Sequence, residues 1–413
     1  MPHHNHKKRV VITGASTISA LGNDWASVKT ALQNKTSAMR YMEEWDKYQD
    51  LVTRVAAPVD DFTLPKHYKA RERRALGRVA QMAVVATEQA LANAGLTDHP
   101  VITNGRTGVA YGSATGSTAA ALEFFSLLKE HTLGMINTTT YTRMMSHTAA
   151  ANIGVTFGTQ GRIYTTTSAC TAGSQGIGFA YEAIAHGQQD VMIAGGAEEL
   201  CSAQAAVFDT ILAATRNFNA TPHKAPRPFD IDRDGLALGE GATTLIVESL
   251  EHAQARGAPI LAEVIGYATN SDGVHLVRPQ QPTMEKVMQL SLEDAGIDAD
   301  EIGYVSAHAT ATAGGDVAES HATYNVLGKK PISSMKSYTG HSLGGCASFE
   351  LWSAIMMMNE GWFNPTLNLD NLDPACAPLD YIAGECRAIE TDTIMSNNFA
   401  FGGINTSLIV RRF

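Results

Sequence analysis

The residue in this sequence whose setting most suggests chemistry is a cysteine. Cys170 follows a strand-like run, residues 163–167, and precedes a helix-like run, residues 171–184. A thiol at a helix N-terminus meets the positive end of the helix dipole and unpaired backbone N–H groups, and both stabilise the thiolate. Small residues on either side leave room for a sharp turn and for a substrate close to the backbone. The setting predicts a nucleophile, although a cysteine taken alone is more commonly a buried core residue.

Three further segments carry residues that suit a ligand site. His308 and His341 lie in loops rich in glycine, threonine and alanine, the kind of loop in which α/β proteins place ligands. Either histidine alone is more often structural. Lys336, shortly before His341, could set the charge or tautomer of that histidine, or it is simply a solvated side chain. Residues 396–405 place glycines beside aromatic residues just before a final strand, residues 407–410, which indicates backbone that approaches a ligand.

The elements that must position these residues alternate along the chain. Short β-rich runs are separated by longer amphipathic helical runs such as residues 79–94, a pattern typical of an α/β protein with buried sheets. The segment Gln89–Leu96 is echoed by Leu290–Ile297, which predicts two similar halves, residues 1–256 and 257–413. The predicted strands include residues 10–13, 108–112, 189–195, 243–248 and 260–267.

Composition limits the classes of function. The 413 residues are 44% hydrophobic and 17% charged, and the net charge of −10 argues against a nucleic-acid-binding protein. The polar start, Met1–Arg9, does not fit a signal peptide, and the longest apolar run, Leu351–Met358, is too short to span a membrane. Five cysteines without metal-ligand spacing predict free thiols in a reducing compartment, hence a cytoplasmic protein with no zinc site: Cys170, Cys201, Cys346, Cys376 and Cys386.

Taken together, the segments around Cys170, His308, His341 and residues 396–405 resemble those of the β-ketoacyl-[acyl-carrier-protein] synthases of the thiolase superfamily. The resemblance is to the elongating type I/II enzymes with a Cys-His-His triad, and it covers nearly the whole chain. It implies an α/β fold in a five-layer α/β/α/β/α sandwich of two pseudo-duplicated halves. The nucleophile half would also form the dimer interface, and the thiol would lie at the bottom of a tunnel for phosphopantetheine.

The same resemblance implies a mechanism. Cys170 would take an acyl group from a carrier-protein thioester and store it. Backbone N–H groups of Cys170 and of Phe401, which is also a gate, would form an oxyanion hole. His308 and His341 would hold the malonyl thioester and stabilise the enolate that remains when carbon dioxide leaves. The product would be a β-ketoacyl-carrier protein.

Supporting residues follow from the family pattern as well. Lys336 would orient the site, paired with Glu319. For Glu319 and Asp316, a structural role in satisfying the loop backbone stays as open as a catalytic one. Thr310 and Thr312 would hydrogen-bond the pantetheine amides.

The acyl pocket is expected among residues of the first half and the last segment. Thr115 and Phe208 would set the end of the pocket, and Phe399 would contact the substrate. Alternatively, Thr115 simply caps the helix that follows it. The protein itself needs no bound cofactor, because phosphopantetheine arrives on the acyl carrier protein.

Departures from the family pattern suggest a specialised paralogue. Ala309 and Ala400 stand where the family usually has glycine. If those glycines have positive φ in relatives, both loops must be reshaped here and the gate at Phe401 stiffened. Arg278 stands where a small residue usually lines the tunnel mouth, and residues 345–348 replace a plainer small-residue run.

A basic stretch is a candidate docking surface for an acidic carrier protein. We expect Lys69, Arg71, Arg74 and Arg143 to contact the carrier, although a solvated helix face is the commoner explanation of such a run. The stretch contains Lys66, Lys69, Arg71, Arg73, Arg74 and Arg78, with Glu72 as its only acid.

Three competing functions are weighed against this prediction. A non-catalytic chain-length factor would lack the nucleophile Cys170. A coenzyme-A-dependent thiolase would carry a second cysteine near the C-terminus, where residues 402–405 supply none. An initiating synthase would replace one histidine by asparagine. The prediction is therefore an elongating condensing enzyme of fatty-acid or aryl-polyene-like biosynthesis. It would act with an acyl carrier protein, away from nucleic acid and membranes, as a homodimer or with a chain-length-factor paralogue.

Overall fold

Strands and helices alternate along the chain, as the sequence predicts. The computed structural model describes residues 7–413, so the first six residues of the polar N-terminal run lie outside the described part. The strands are β1 Val10–Ser19, β2 Arg40–Tyr41, β3 Val55–Ala57, β4 Thr107–Gly112, β5 Ile163–Thr166, β6 Val191–Glu198, β7 Leu238–Gly239, β8 Gly241–Ser249, β9 Ala262–Ser271, β10 Tyr304–Ser306, β11 Pro331–Ser333, β12 Trp362–Phe363, β13 Asp380–Tyr381, β14 Arg387–Ala388, β15 Thr393–Ala400 and β16 Ile404–Arg411. The α-helices are α1 Trp25–Gln33, α2 Ala70–Ala75, α3 Arg78–Asn93, α4 Thr118–Glu130, α5 Thr138–Met144, α6 Thr148–Phe157, α7 Ala172–Ala185, α8 Ser202–Thr210, α9 Leu250–Ala255, α10 Gln281–Ala295, α11 Ala313–Leu327, α12 Lys336–Thr339 and α13 Cys346–Glu360.

Several strands are longer than the sequence predicts. The predicted run 10–13 is the start of β1, in which all ten residues are buried, polar ones included. Hydroxyl groups there find partners inside the sheet. The side chains of Thr17 and Thr243 are hydrogen-bonded at 2.8 Å between β1 and β8. A buried polar strand of this kind lacks the apolar signal by which strands are recognised, so its second half is missed.

The large sheet repeats its own plan. Its eleven strands lie in the order β13-β11-β10-β15-β16-β9-β1-β8-β6-β4-β5, with β1 and β9 paired at the middle. On one side of the middle, β1 pairs antiparallel with β8, β8 antiparallel with β6, β6 parallel with β4, and β4 parallel with β5. On the other side, β9 pairs antiparallel with β16, β16 antiparallel with β15, β15 parallel with β10, and β10 parallel with β11. The two halves of the sheet therefore share one topology.

The sequence echo marks equivalent helices in that plan. Helix α3 packs on β1 and helix α10 packs on β9. Each of these helices ends at a glycine with left-handed backbone, Gly95 at φ 69° and Gly296 at φ 65°. Glycine ends a helix in this conformation without the steric penalty that a side chain would add.

The helices form layers around the two sheet halves, which confirms the predicted thiolase-like sandwich. Helices α7 and α13 contact each other and strands of both halves, while α3 and α6 cover the outer face of one half and α10 and α11 lie on the other. The middle layer is tightly packed. A Cβ at Gly178 of α7 would lie 2.2 Å from the ring of Tyr267 on β9, so only glycine lets this helix approach the second half so closely.

Two features bear on the environment of the chain. All five cysteines are free thiols, as predicted. Within residues 7–413, we find no helix that combines the length and the apolar content needed to cross a membrane.

Candidate active site

The predicted nucleophile lies in a strained turn between β5 and α7. Residues Ala169–Thr171 form a single 3₁₀ turn, and the helix begins at Ala172 rather than at Thr171. Ala169 has φ 50°, a left-handed conformation that is uncommon for alanine and that reverses the chain sharply before the cysteine. Cys170 is 4% exposed, and the nearby backbone N–H groups of Phe401 and of Cys170 itself act to lower the pKa of its thiol. These are the two N–H groups predicted for the oxyanion hole.

Both predicted histidines lie beside the cysteine. His341 Nε2 is 3.0 Å from Cys170 Sγ. The ring of His308 is perpendicular to that of His341, with 5.2 Å between their centroids. Side-chain donor atoms of the three residues all lie within 4.8 Å of one another, a set that could also hold a thiophilic metal ion such as zinc.

Backbone hydrogen bonds fix the loop that carries His341. Its N–H donates to the carbonyl of Ala237 at 2.8 Å, and its own carbonyl accepts from the N–H of Gly239 at 3.0 Å. This short parallel bridge connects a loop of the second half to strand β7 of the first half. The histidine is therefore held by both of its main-chain polar groups.

The loop that carries His308 is held by two buried carboxylates. Glu319 accepts the N–H groups of His308 and Ala309, both at 2.7 Å. Asp316 accepts the N–H groups of Phe229 at 2.8 Å and Ala311 at 3.1 Å. Burial raises the pKa of Glu319 to about 8 and that of Asp316 to about 6. Of the two roles left open for these acids, the contacts favour the structural one.

The alanines that replace family glycines do not strain these loops. Neither Ala309 nor Ala400 is among the residues with positive φ, and Ala400 ends the regular strand β15. The left-handed residue of the first loop is Ala311, at φ 65°. The prediction of reshaped loops and a stiffened gate at Phe401 depends on the backbone of the relatives and stays a prediction.

The prediction that Lys336 pairs with Glu319 is wrong. Its ammonium group donates to Glu350 of α13 and not to Glu319, which is occupied by backbone N–H groups. The second oxygen of Glu350 accepts from Asn398 Nδ2 at 2.8 Å, and the same nitrogen lies 3.4 Å from His308 Nδ1. Neither Glu350 nor Asn398 belongs to the site predicted from the sequence. Two signals were available: Glu350 is the only charged residue in the run 346–358, and Asn398 lies in the segment 396–405 that the sequence marks as approaching a ligand.

Burial decides the charge state of the site. It raises the pKa of the Cys170 thiol to about 11, against the weaker opposing effects of Lys336 and the two N–H groups. The expected stabilised thiolate is therefore wrong for the resting site. Burial, followed by the charge of Lys336, also holds the pKa of His341 well below its usual value, and the same causes together with His341 lower the pKa of His308. At neutral pH the site combines a thiol with two neutral imidazoles.

Lys336 is the one cation in this buried group. Burial is the largest single effect and lowers the pKa of its ammonium group, but the combined effects of Glu350, Cys346 and Glu319 outweigh burial and raise that pKa. The charge persists at neutral pH and disfavours a second cation beside it. A metal ion in the Cys170, His308 and His341 set would have to overcome this repulsion.

A cavity of ≈ 280 Å³ leads from the surface to these residues. Among the residues on its wall, Arg278 is exposed and Thr310 is buried, and the hydroxyl groups of Thr310 and Thr312 are 3.1 Å apart. The rings of Phe208 and Phe401 lie 5.2 Å apart on the wall. The predicted residues on the wall are Cys170, Phe208, Arg278, His308, Thr310, Thr312, Glu319, His341, Phe399 and Phe401.

Thr115 is not on the wall of this cavity. Its hydroxyl donates to Glu198 at 2.9 Å and accepts from Gln204 Nε2 at 2.8 Å. It does not cap the following helix either, because α4 begins after Ser117. The predicted place of Thr115 at the end of the acyl pocket does not apply to the cavity of a single chain.

The basic stretch is only partly available to a partner. Arg73 donates to backbone carbonyls, and Arg78 pairs with Glu240. Arg143 pairs with Glu123 at 2.7 Å, so its charge is compensated and the prediction that it faces a carrier is weakened. Lys66, Lys69, Arg71 and Arg74 are exposed and form no ion pair within the described residues.

Comparison with known proteins decides which family has this site. Residues 7–253 match the family model "Beta-ketoacyl synthase, N-terminal domain", and residues 261–370 match "Beta-ketoacyl synthase, C-terminal domain". The chain belongs to the beta-ketoacyl synthase family. It is 35% identical over 409 residues to 3-oxoacyl-[acyl-carrier-protein] synthase 1 of Haemophilus influenzae, which covers 98% of this chain and 99% of that protein.

Solved structures agree with this assignment. A beta-ketoacyl synthase from Burkholderia phymatum STM815 superposes with a TM-score of 0.97 and 52% identity, covering 98% of this chain and 100% of that chain. The ishigamide ketosynthase/chain length factor gives a TM-score of 0.90 at 29% identity. The AntDE:AntF complex, a type II PKS acyl-carrier protein with its ketosynthase, gives 0.88 at 28%. Both of these also cover 98% of this chain and 100% of theirs.

The alkylation rate of Cys170 tests whether the positive charge of Lys336 lowers the pKa of that thiol. Replacing Lys336 by methionine together with Glu350→Leu removes the cation and its counterion, so no unpaired charge stays buried. We expect the pKa of Cys170 to rise, and alkylation of Cys170 by iodoacetamide at a fixed alkaline pH to slow by roughly tenfold, one pKa unit. Peptide mass spectrometry follows this cysteine separately from the others. Lys286→Met, on an exposed lysine of α10, is the control, and an unchanged pH profile in the double variant would contradict the assignment.

Proposed function

We propose that this protein condenses an acyl group held on Cys170 with a malonyl group on an acyl carrier protein, releasing carbon dioxide and a β-ketoacyl-carrier protein. The observation that carries the proposal is the buried group of Cys170, His341 and His308 on the wall of the cavity, with a thiol and two uncharged imidazoles. The Haemophilus influenzae relative is named 3-oxoacyl-[acyl-carrier-protein] synthase 1, which supports the same reaction.

In the first half-reaction, the acyl group moves to the cysteine. His341 Nε2, 3.0 Å from the sulfur, accepts the thiol proton as the sulfur attacks the acyl thioester. The N–H groups of Cys170 and Phe401 stabilise the oxyanion of the tetrahedral intermediate. When the intermediate collapses, the carrier thiol leaves with the proton that His341 held. A base is needed because burial raises the pKa of the thiol to about 11.

In the second half-reaction, the malonyl thioester occupies the same cavity. Uncharged His308 and His341 each donate an N–H to its carbonyl oxygen, which stabilises the enolate as carbon dioxide departs. The enolate carbon attacks the acyl-cysteine carbonyl, and collapse of that intermediate frees the thiolate of Cys170, which takes up a proton from solvent to return to the thiol. Lys336, the buried cation of the site, favours the negative charge of both species.

The carrier protein supplies the only prosthetic group that this scheme requires. Thr310 and Thr312 lie on the wall of the cavity together with His308, where they could hydrogen-bond the amides of a phosphopantetheine arm. Exposed and unpaired Lys69, Arg71 and Arg74 suit an acidic carrier. The AntDE:AntF neighbour is itself a complex of a ketosynthase with an acyl-carrier protein.

We further infer a dimer formed through the first half. Strand β5 is an edge strand of the large sheet, and its Ile163 is 47% exposed. Helix α6 beside it carries Val155, which is 83% exposed. An apolar edge of this kind is normally covered by another chain. The partner is a second copy or a chain-length-factor paralogue, the arrangement named for the ishigamide neighbour.

The remaining assignments rest on the same family membership. We place the two halves at residues 1–256 and 257–413 and the protein in the cytoplasm. The pathway is fatty-acid or polyene biosynthesis of the aryl-polyene type. Thr115, outside the cavity of one chain, would set the end of the acyl pocket only if that pocket extends to the dimer boundary.

The two half-reactions distinguish the roles of the histidines. His308→Ala should leave acylation of Cys170 nearly unchanged, yet slow decarboxylation of malonyl-carrier by roughly 10²–10³-fold, because one enolate donor is lost. His341→Ala should slow both steps, since it also removes the base. Intact-protein mass follows acylation, and release of labelled carbon dioxide follows decarboxylation. Decarboxylation at the wild-type rate in both variants would show that the mechanism is wrong.

Charge reversal tests the docking surface. Arg71→Glu and Arg74→Glu should raise KM for carrier-bound substrates and reduce the salt dependence of kcat/KM, while small pantetheine thioesters react as before. Steady-state kinetics at two ionic strengths measure both effects. Lys286→Glu, an equal charge change on the second half, is the control. If carrier-bound and small substrates lose activity equally, the surface is not where the carrier docks.

A further inference from the structure

A buried polar network lies behind the catalytic group. Lys336, Glu350 and Asn398 are at most 2% exposed, and His308 is 7% exposed. Glu350 accepts from Lys336 with one carboxylate oxygen and from Asn398 Nδ2, at 2.8 Å, with the other. Asn398 Nδ2 also lies 3.4 Å from His308 Nδ1. The amide therefore bridges the ion pair and the histidine.

The contacts settle which way the amide of Asn398 faces. Glu350 is held as an acceptor by Lys336, so only the NH₂ group of Asn398 can face it favourably. Turning the amide around would place its oxygen against the carboxylate. That oxygen has no hydrogen-bond partner within the described residues, so nothing favours the turned orientation. The NH₂ group has two protons, one for Glu350 and one for His308.

A donor at Nδ1 determines where His308 carries its own proton. The uncharged imidazole has one N–H, and a nitrogen that accepts a hydrogen bond cannot also hold that proton. We propose that Asn398 is a positioning residue that fixes His308 in the Nε2–H tautomer, so that this ring always presents a donor to the substrate carbonyl. The inference rests on the proposed condensation and adds a residue to it.

His341 differs from His308 in this respect. Its Nδ1 is buried and has no hydrogen-bond partner within the described residues, while its Nε2 faces the thiol at 3.0 Å. No neighbour holds it in one tautomer, so its Nε2 can accept a proton from Cys170 in one half-reaction and donate in the other. The two histidines would thus divide the work: His308 is a fixed donor and His341 an exchangeable base.

The charge change Asn398→Asp tests this role through pH. An ionised aspartate accepts from Nδ1 and moves the imidazole proton there, so Nε2 loses its donor. At lower pH, either a protonated aspartate or an imidazolium restores the Nε2–H. We expect malonyl decarboxylation to fall by roughly tenfold to a hundredfold at alkaline pH and to recover as the pH is lowered. Acylation of Cys170 should stay within about twofold of wild type, since His341 serves that step.

Other titratable groups surround His308 and residue 398, and the Asn398→Asp variant leaves all of them in place. They are Cys170, Glu319, Lys336, His341, Cys346 and Glu350.

Asn397 offers a matched control on the same strand. It is fully buried like Asn398, but its amide contacts Met288 Sδ at 3.4 Å, away from the catalytic group. Asn397→Asp places the same charge in the same strand and should give no new pH dependence of decarboxylation. If both variants lose acylation and decarboxylation equally, with the same pH profile as wild type, Asn398 is only structural and the proposal is wrong.

The tautomer can also be read without any variant at position 398. Long-range ¹H–¹⁵N NMR of the full protein labelled with ¹⁵N-histidine should show His308, identified by its loss in His308→Asn, with the proton on Nε2. A proton on Nδ1 would overturn the proposal even if the condensing activity is confirmed. If the spectrum shows Nε2–H but the protein neither acylates nor decarboxylates, the proposed function fails while the tautomer assignment stands.

Discussion

The contact between His341 Nε2 and Cys170 Sγ, 3.0 Å long, joins the two halves of the molecule. The cysteine follows strand β5 of the first half, and the histidine lies in a loop of the second half that bridges to β7. Neither half has both residues. Keeping them together requires helices α7 and α13 to pack tightly between the sheet halves, which explains a glycine such as Gly178 where any Cβ would strike Tyr267.

Burial gives the contact its chemical character. In water a cysteine beside an imidazole could form a thiolate and an imidazolium, but desolvation penalises both charges here. The site instead holds a thiol and two uncharged rings, with its single cation compensated by Glu350. An uncharged imidazole can accept a proton from sulfur and can also donate a hydrogen bond to an enolate oxygen. A permanent imidazolium could not accept the proton of the thiol in the first half-reaction.

The sequence is sufficient to predict the catalytic group because its residues lie in short loops next to strand ends. Cys170, His308 and His341 each follow a recognisable run of residues. Strands β5 and β10 lie in opposite halves of the sheet and run in opposite directions, so their loops meet only because the two halves pack together through α7 and α13. The echo of Gln89–Leu96 likewise has a local cause, since both copies end a helix at a left-handed glycine.

What the sequence does not predict depends on contacts between distant residues. Glu350 becomes the partner of Lys336 only when α13 packs behind the site, and Arg143 loses its free charge to Glu123 on another helix. The direction of the Cys170 pKa shift is missed for a related reason: the helix N-terminus is visible in the sequence, but complete burial of the thiol is not. The family resemblance places Thr115 at the acyl pocket, whereas its hydroxyl lies between Glu198 and Gln204.

Storage of the acyl group on Cys170 can be measured by intact-protein mass spectrometry after incubation with acyl-carrier protein. We expect one acyl adduct per chain in the wild type, the same adduct in the control Cys201→Ala, and none in Cys170→Ala. A full adduct on Cys170→Ala would contradict the account.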